Sequence, residues 1–211
     1  MKIFSGILLF VGFVLLFYND NAFGQTTDNI LTVIFIDLGK EGDSTLVIFP
    51  NNNTVLIDAG LKFNESFEKV KSVLEENNVQ RINLMIGTHA DADHIGGLAK
   101  LLAEDSPYYN KVDEIWTNGL LHTSDIYNEF IGNIANQDNV QHQVVAAPMS
   151  TNLGDPVLIQ LASPPQERIS SHSDHATEQN SNSLVTRMIY GDVFFLFTAD
   201  TTWTTEKWLV E

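Results

Sequence analysis

Between His89 and His94 the chain sets two imidazoles and two carboxylates, His89, Asp91, Asp93 and His94, into six consecutive residues. These side chains bind divalent metals: imidazole nitrogen suits zinc and its transition-metal neighbours, and carboxylate oxygen suits harder ions such as manganese. The preceding Ile82–Gly87 is short and apolar and reads as a buried strand. Ile95, Leu98, Leu101 and Leu102 recur at helical spacing, which predicts a helix from Ile95 to about Glu104. Alternate residues of an extended segment share a side, so His89, Asp91 and Asp93 converge and the turn into the helix brings His94 alongside. Such a loop can hold two adjacent cations, and Gly96 and Gly97 leave room where helix and metal approach.

The order H-x-D-x-D-H-I-G-G resembles the second motif of the metallo-β-lactamase superfamily, usually H-x-H-x-D-H, in the form carried by ComEC-type DNA-uptake proteins and their stand-alone relatives. Asp91 stands where the second histidine is usual, and the added carboxylate moves the expected metal from zinc alone toward manganese or a mixed preference. Thr54–Gly60 resembles the first motif, L-I-D-x-G, whose Asp braces the metal loop, and Leu38–Ser44 resembles G-Q-G-D-S with one residue inserted. Asn182–Val185, Tyr190–Gly191 and Phe195–Asp200 resemble N-x-S-L-V, Y-G and F-L-x-T-G-D, with Ala199 in place of Gly. The resemblance implies an α/β fold, the metallo-β-lactamase αββα sandwich, holding two divalent metal ions, zinc or manganese. It places His89 and Asp91 on the first ion, Asp93 and His94 on the second and Asp200 on both. Asp58 and Thr88 support those ligands from behind, and Asp93 is also the candidate catalytic carboxylate.

Two further histidines are candidates for metal or substrate contact. His122 lies in Gly119–Tyr127, where a strand gives way to a helix carrying Ile126, Phe130, Ile131 and Ile134, and the stretch is similar to one in the ComEC-like relatives. A lone histidine there also serves as a helix cap or a surface group. His175, in Ser171–His175, falls about where the superfamily's third-motif histidine precedes Asp200, although the polar stretch from Gln166 to Ser181 otherwise reads as a solvated loop. His142 reads as an exposed strand residue.

The elements that must position these groups open with a β-meander: Ile30–Asp37, Ser44–Pro50 and Thr54–Asp58 are β-branched and apolar, with Asn51–Asn53 as a turn. A helical stripe of Phe67, Val70, Val73 and Leu74 follows, with Asn64 as N-cap and Asn77–Asn78 as the stop. Strands are expected at Val112–Thr117 and Pro156–Ala162, and a hairpin from Asn182 to Asp200.

Composition bounds the reading. Lys2 precedes an apolar run from Ile3 to Tyr18, followed by polar residues and a small-x-small site at Ala22–Gly24, the pattern of a signal peptide over residues 1–24. The rest, 25–211, then forms one partial metallo-β-lactamase-like domain, secreted or extracytoplasmic, or anchored by an uncleaved leader; beyond the leader no apolar run is long enough to span a membrane. The resemblance further implies that the C-terminal part of the second half is missing, since nothing corresponds to an H-H-G-S stretch after Val210. Eleven Lys+Arg against 27 Asp+Glu give a net charge of −16, which disfavours a nucleic-acid partner, and the absence of cysteine removes thiolate ligands and disulfides. The function implied is an exported metal-dependent hydrolase that cleaves phosphodiester or similar ester bonds of a small-molecule substrate with a metal-activated water. The alternative is a non-catalytic extracellular binding module stabilised by metal.

Overall fold

A computed structural model of the protein describes residues 30–146, 149–154, 157–162 and 175–210. The expected leader, 1–24, and most of the polar stretch after Pro164 lie outside them.

The opening meander forms where the β-branched, apolar runs predict it. Strands β1 (Thr32–Phe35), β2 (Thr45–Ile48) and β3 (Thr54–Ile57) pair antiparallel in sequence order. Helix α1 (Asn64–Glu76) then carries the chain to β4 (Ile82–Gly87), which lies parallel to β3. Helix α2 (Ala92–Leu101) leads to β5 (Val112–Thr117), and α3 (Asp125–Ala135) leads to β6 (Gln141–Val144), both strands extending the sheet in parallel. The result is a six-stranded mixed sheet in the order β1-β2-β3-β4-β5-β6. A second, antiparallel sheet has the order β10-β9-β8-β7, from β7 (Ser150–Gly154), β8 (Val157–Ala162), β9 (Val185–Tyr190) and β10 (Val193–Phe197). Helix α4 (His175–Ser181) precedes β9, and α5 (Trp203–Val210) follows β10.

Each face of the first sheet has its own core. Leu46, Leu56, Ile82, Met85 and Ile115 pack with Phe67, Val70 and Leu74 of α1, Ile95 and Leu98 of α2 and Phe130 of α3. Val47, Val55, Ile57, Leu84, Ile86 and Trp116 face the second sheet through Leu184, Met188 and Phe197. Burial of each such side chain contributes about 1.5–3 kcal/mol, so this helix–sheet–sheet layering is secured by strands that are apolar on both faces. Among the described residues no helix is long and apolar enough to cross a membrane.

Several local expectations shift. Helix α1 starts one residue earlier than the stripe suggests, with Phe63 rather than Asn64 as N-cap, while Asn77 and Asn78 end it as expected. The last seven residues of the expected polar loop are α4. Its inward-facing residues are the polar Gln179 and Ser181, so it carries no apolar stripe. Strand β7 has no apolar alternation, and only pairing to β8 defines it.

The two glycines of α2 do not make room for metal. A Cβ at Gly97 would collide with the Ala59 carbonyl, and one at Gly96 would lie 2.6 Å from the Lys62 nitrogen. The start of α2 therefore rests directly on the turn after β3, where Ala59 N–H donates to the His94 carbonyl at 2.9 Å and Gly97 N–H to the Gly60 carbonyl at 2.8 Å. Gly97→Ala is expected to lower unfolding stability by about 1–3 kcal/mol, as overpacking does. An unchanged urea midpoint would show that this contact is not tight.

Candidate metal centre

The site lies at the carboxyl ends of the parallel strands β3, β4 and β5, where open α/β sheets leave a crevice for ligands. The register Ile57↔Ile86 sets Asp58, the first residue past β3, against Thr88, just past β4. Asp58 holds φ at +53°, a left-handed conformation uncommon for a residue with a Cβ, and its backbone is fixed by Asp58 N–H donating to the Ile86 carbonyl and by Ser44 Oγ donating to the Asp58 carbonyl. In that conformation the buried carboxylate points along the strand ends. Its Oδ1 accepts Thr88 N–H at 2.9 Å, and its Oδ2 accepts Thr88 Oγ–H at 2.6 Å and His94 Nδ1–H at 2.8 Å.

Those bonds determine which nitrogens face the site. Thr88 spends its only hydroxyl proton on Asp58, so toward His89 Nδ1, 3.1 Å away, it can only accept. His89 therefore carries its proton on Nδ1 and presents a bare Nε2. His94, with Nδ1–H on Asp58, likewise directs Nε2 inward, and the two rings lie 4.1 Å apart. His89 Nε2 is buried without a hydrogen-bond partner, although only 2% of the residue is exposed. An orphaned buried nitrogen is costly unless it has a ligand.

The third group is Asp200, which follows β10 after Ala199. Ala199 is strained at φ +47°, the position the superfamily pattern gives to Gly. Asp200 Oδ1 is 3.4 Å from His94 Nε2, and one ligand atom each from His89, His94 and Asp200 lie within 4.8 Å of one another. Two imidazole nitrogens and a carboxylate oxygen, two of the residues buried, fit a divalent metal of the zinc or manganese type.

The other candidates occupy different places. Asp91 is the N-cap of α2, but its side chain makes no capping bond and lies 3.4 Å from His89 Nε2. Burial pushes its pKa up, but the neighbouring His89, then the charges of His94 and His122, outweigh this and hold it below the usual carboxylate range. Asp93 departs from the expected alternation, because α2 begins at Ala92 and takes Asp93 into its first turn. There its charge favours the protonated His94, but it is outside the three-residue group. Gly42 explains the close fit behind it: with φ +108°, it lies where any Cβ would collide with the Asp93 carbonyl.

His122 Nδ1 accepts Ser124 N–H at 3.1 Å, and its ring meets Tyr127 edge-on at 6.3 Å. Tyr127 lines a small cavity together with His89, Thr117 and Asn118. Ser124, not His122, is the N-cap of α3, accepting Tyr127 N–H, a role the sequence reading did not assign. The segment is tied to the far side of the site by Asn118 Nδ2 donating to the Asn182 carbonyl and by Leu184 N–H donating to the Thr88 carbonyl. His142 is exposed on the edge strand β6, 2.9 Å from Thr117 Oγ1. The backbone of His175 opens α4, and its side chain lies outside the described residues.

With the geometry in hand, likeness to known proteins can be stated. The family model described as Anti-Pycsar protein Apyc1 matches residues 38–210. No curated protein matches the chain in sequence. Among solved structures, a metallo-β-lactamase with a HARLDQ motif from Cronobacter sakazakii is similar with a TM-score of 0.50 at 18% identity, over 81% of this chain and 61% of that one. The metallo-β-lactamase fold protein YhfI from Bacillus subtilis has a TM-score of 0.49 at 14% identity, over 79% of this chain and 61% of that one. A diphosphatase from the PhnP family has a TM-score of 0.41 at 15% identity, over 80% and 57%. The chain thus has the metallo-β-lactamase fold and spans about three-fifths of the length of the first of these proteins. The likeness to ComEC-type proteins stands on the sequence motifs alone.

Two outcomes follow from the Asp58 anchor. Asp58→Asn cannot take all three donors as a charged acceptor, and metal affinity measured by chelator competition is expected to fall about 10–100-fold. In metal-free protein, burial pulls the His94 pKa down, but the charge and hydrogen bond of Asp58, then the charges of Asp200 and Asp93, raise it from 6.5 to about 9. A raised folded-state pKa stabilises fully below about 6.5, and that contribution, on the order of 3 kcal/mol, is lost as pH rises through about 9. Unfolding midpoints of metal-free protein should fall across this window, and the His94→Gln variant should lack that slope.

Proposed function

The chain belongs to the Anti-Pycsar protein Apyc1 family, and we propose on that premise that it is a metal-dependent hydrolase of small phosphodiesters. The observation that carries this reading is the buried, unpartnered His89 Nε2 converging with His94 Nε2 and Asp200. Bound divalent ions supply Lewis-acid activation of water and of the phosphoryl group. The chain's own residues do the rest. Asp58 fixes the His94 ring, Thr88 relays that order to His89, and both imidazoles reach the site in the ligating tautomer.

A two-ion centre belongs to the proposal. Asp91 beside His89 and Asp93 beside His94 are the carboxylates available to extend the three-residue group. The substrate is small on electrostatic grounds: a net charge of −16 disfavours a long polyanion, whereas a single phosphodiester needs only the local cations. A cyclic mononucleotide is the compact case. Export by the 1–24 leader is kept as part of the proposal and is supported by its sequence alone.

The test is metal analysis of the whole chain together with hydrolysis of cyclic mononucleotides and bis(p-nitrophenyl) phosphate, with His89→Ala and Asp200→Ala alongside. Bound metal and turnover that falls at least about 100-fold in both variants is the expected result, since even groups that merely support a ligand can cost that much. Metal without turnover on any phosphodiester would favour the binding module instead.

A further inference from the structure

His122 offers one nitrogen to the protein and holds the other in reserve. Its Nδ1 receives Ser124 N–H, whose direction the backbone fixes, at 3.1 Å. Ser124 Oγ lies 2.8 Å from the same nitrogen and already accepts Tyr127 N–H, so its own hydroxyl proton is available to donate to Nδ1. A ring nitrogen facing two donors is the unprotonated one, and the neutral ring must then carry its proton on Nε2. This is opposite to His89 and His94, whose Nδ1 sides are engaged and whose Nε2 atoms face the centre. To ligate a metal through Nε2, His122 would have to move its proton to Nδ1 and confront Ser124 N–H with a second hydrogen.

The ring is also held next to a residue that borders the centre. Tyr127 braces it edge-on and lines the same small cavity as His89. Gln179 Nε2 lies 3.5 Å from the Leu121 carbonyl, and Asn118 bonds the Asn182 carbonyl, so the segment carrying His122 is joined to the one whose Leu184 N–H holds the metal loop at Thr88.

We infer that His122 is not a metal ligand but an Nε2–H donor to a phosphoryl oxygen of the anion bound at the centre. The inference rests on the phosphodiesterase reading only for the chemical class of that anion. A donor there positions a tetrahedral phosphoryl group while His89, His94 and Asp200 hold the cation.

The discriminating variant is His122→Asn, whose Oδ1 can replace Nδ1 as the acceptor for Ser124 N–H but whose shorter side chain cannot reach where Nε2 was. Zinc stoichiometry and inorganic phosphate affinity are measured by calorimetry on the whole chain, wild type and variant. Long-range nitrogen–proton spectra of the wild type follow each imidazole with and without zinc. Expected are unchanged zinc loading, a phosphate affinity weaker by roughly 10-fold or more, as for loss of a hydrogen bond to a charged group, and a His122 Nε2 that keeps its proton when zinc shifts His89 and His94. Reduced zinc loading in a folded variant, loss of the Nε2 proton on zinc binding, or phosphate affinity equal to wild type would each overturn the inference. The spectra decide the tautomer even if the variant does not fold. Wild-type protein that binds zinc and phosphate but hydrolyses no phosphodiester would sink the hydrolase reading and leave the role of His122 standing.

Discussion

The buried carboxylate of Asp58 is the constraint on which the rest of the site depends. An ionised group so enclosed must find donors, and three converge on it: Thr88 N–H, Thr88 Oγ–H and His94 Nδ1–H. Satisfying it pins the start of the metal loop, takes the only proton of the Thr88 hydroxyl and sets the tautomer of both histidines. The Nε2 atoms of both rings face the site because their Nδ1 sides are engaged elsewhere.

That carboxylate reaches its donors only because the backbone around it is tight. Parallel pairing of β3 and β4 brings the ends of the two strands level, and the left-handed turn at Asp58 swings its side chain across the gap. Helix α2 then closes on the turn through Gly96 and Gly97, with the Gly42 loop seated on its first turn. A side chain at either helical glycine would lift the helix that carries His94. Packing and ligand geometry are here a single requirement.

Much of this was legible in the residues. The dense His/Asp cluster and its place between a buried strand and a helix read from type and spacing, because strands and helices impose fixed periods on side-chain direction, whereas the expectations for Asp58 and Asp200 came from their resemblance to the superfamily's motifs. The misreadings have local causes. Extended alternation was carried one residue too far, since nothing in Asp91–Asp93 marks Ala92 as the first helical residue. The glycines were assigned to metal approach when their neighbour is the backbone of residues 59–62, a contact distant in sequence. Helix α4 and strand β7 carry no apolar periodicity that the sequence could signal.

The sequence by itself determined the kind of chemistry, the layering of a helix-covered sheet against a second sheet, and the residues able to bind metal, since these depend on residue type and short-range period. Only the tertiary structure decided which nitrogen of each histidine faces inward, that His89, His94 and Asp200 meet, and that Ser124 N–H occupies His122 Nδ1. Each of these is settled by a hydrogen bond or a packing contact. Those that join His94 to Asp58 and Asp200 to His94 bridge residues far apart in the chain, and even the neighbour contacts of His89 and His122 depend on where Asp58 and the start of α3 direct the protons.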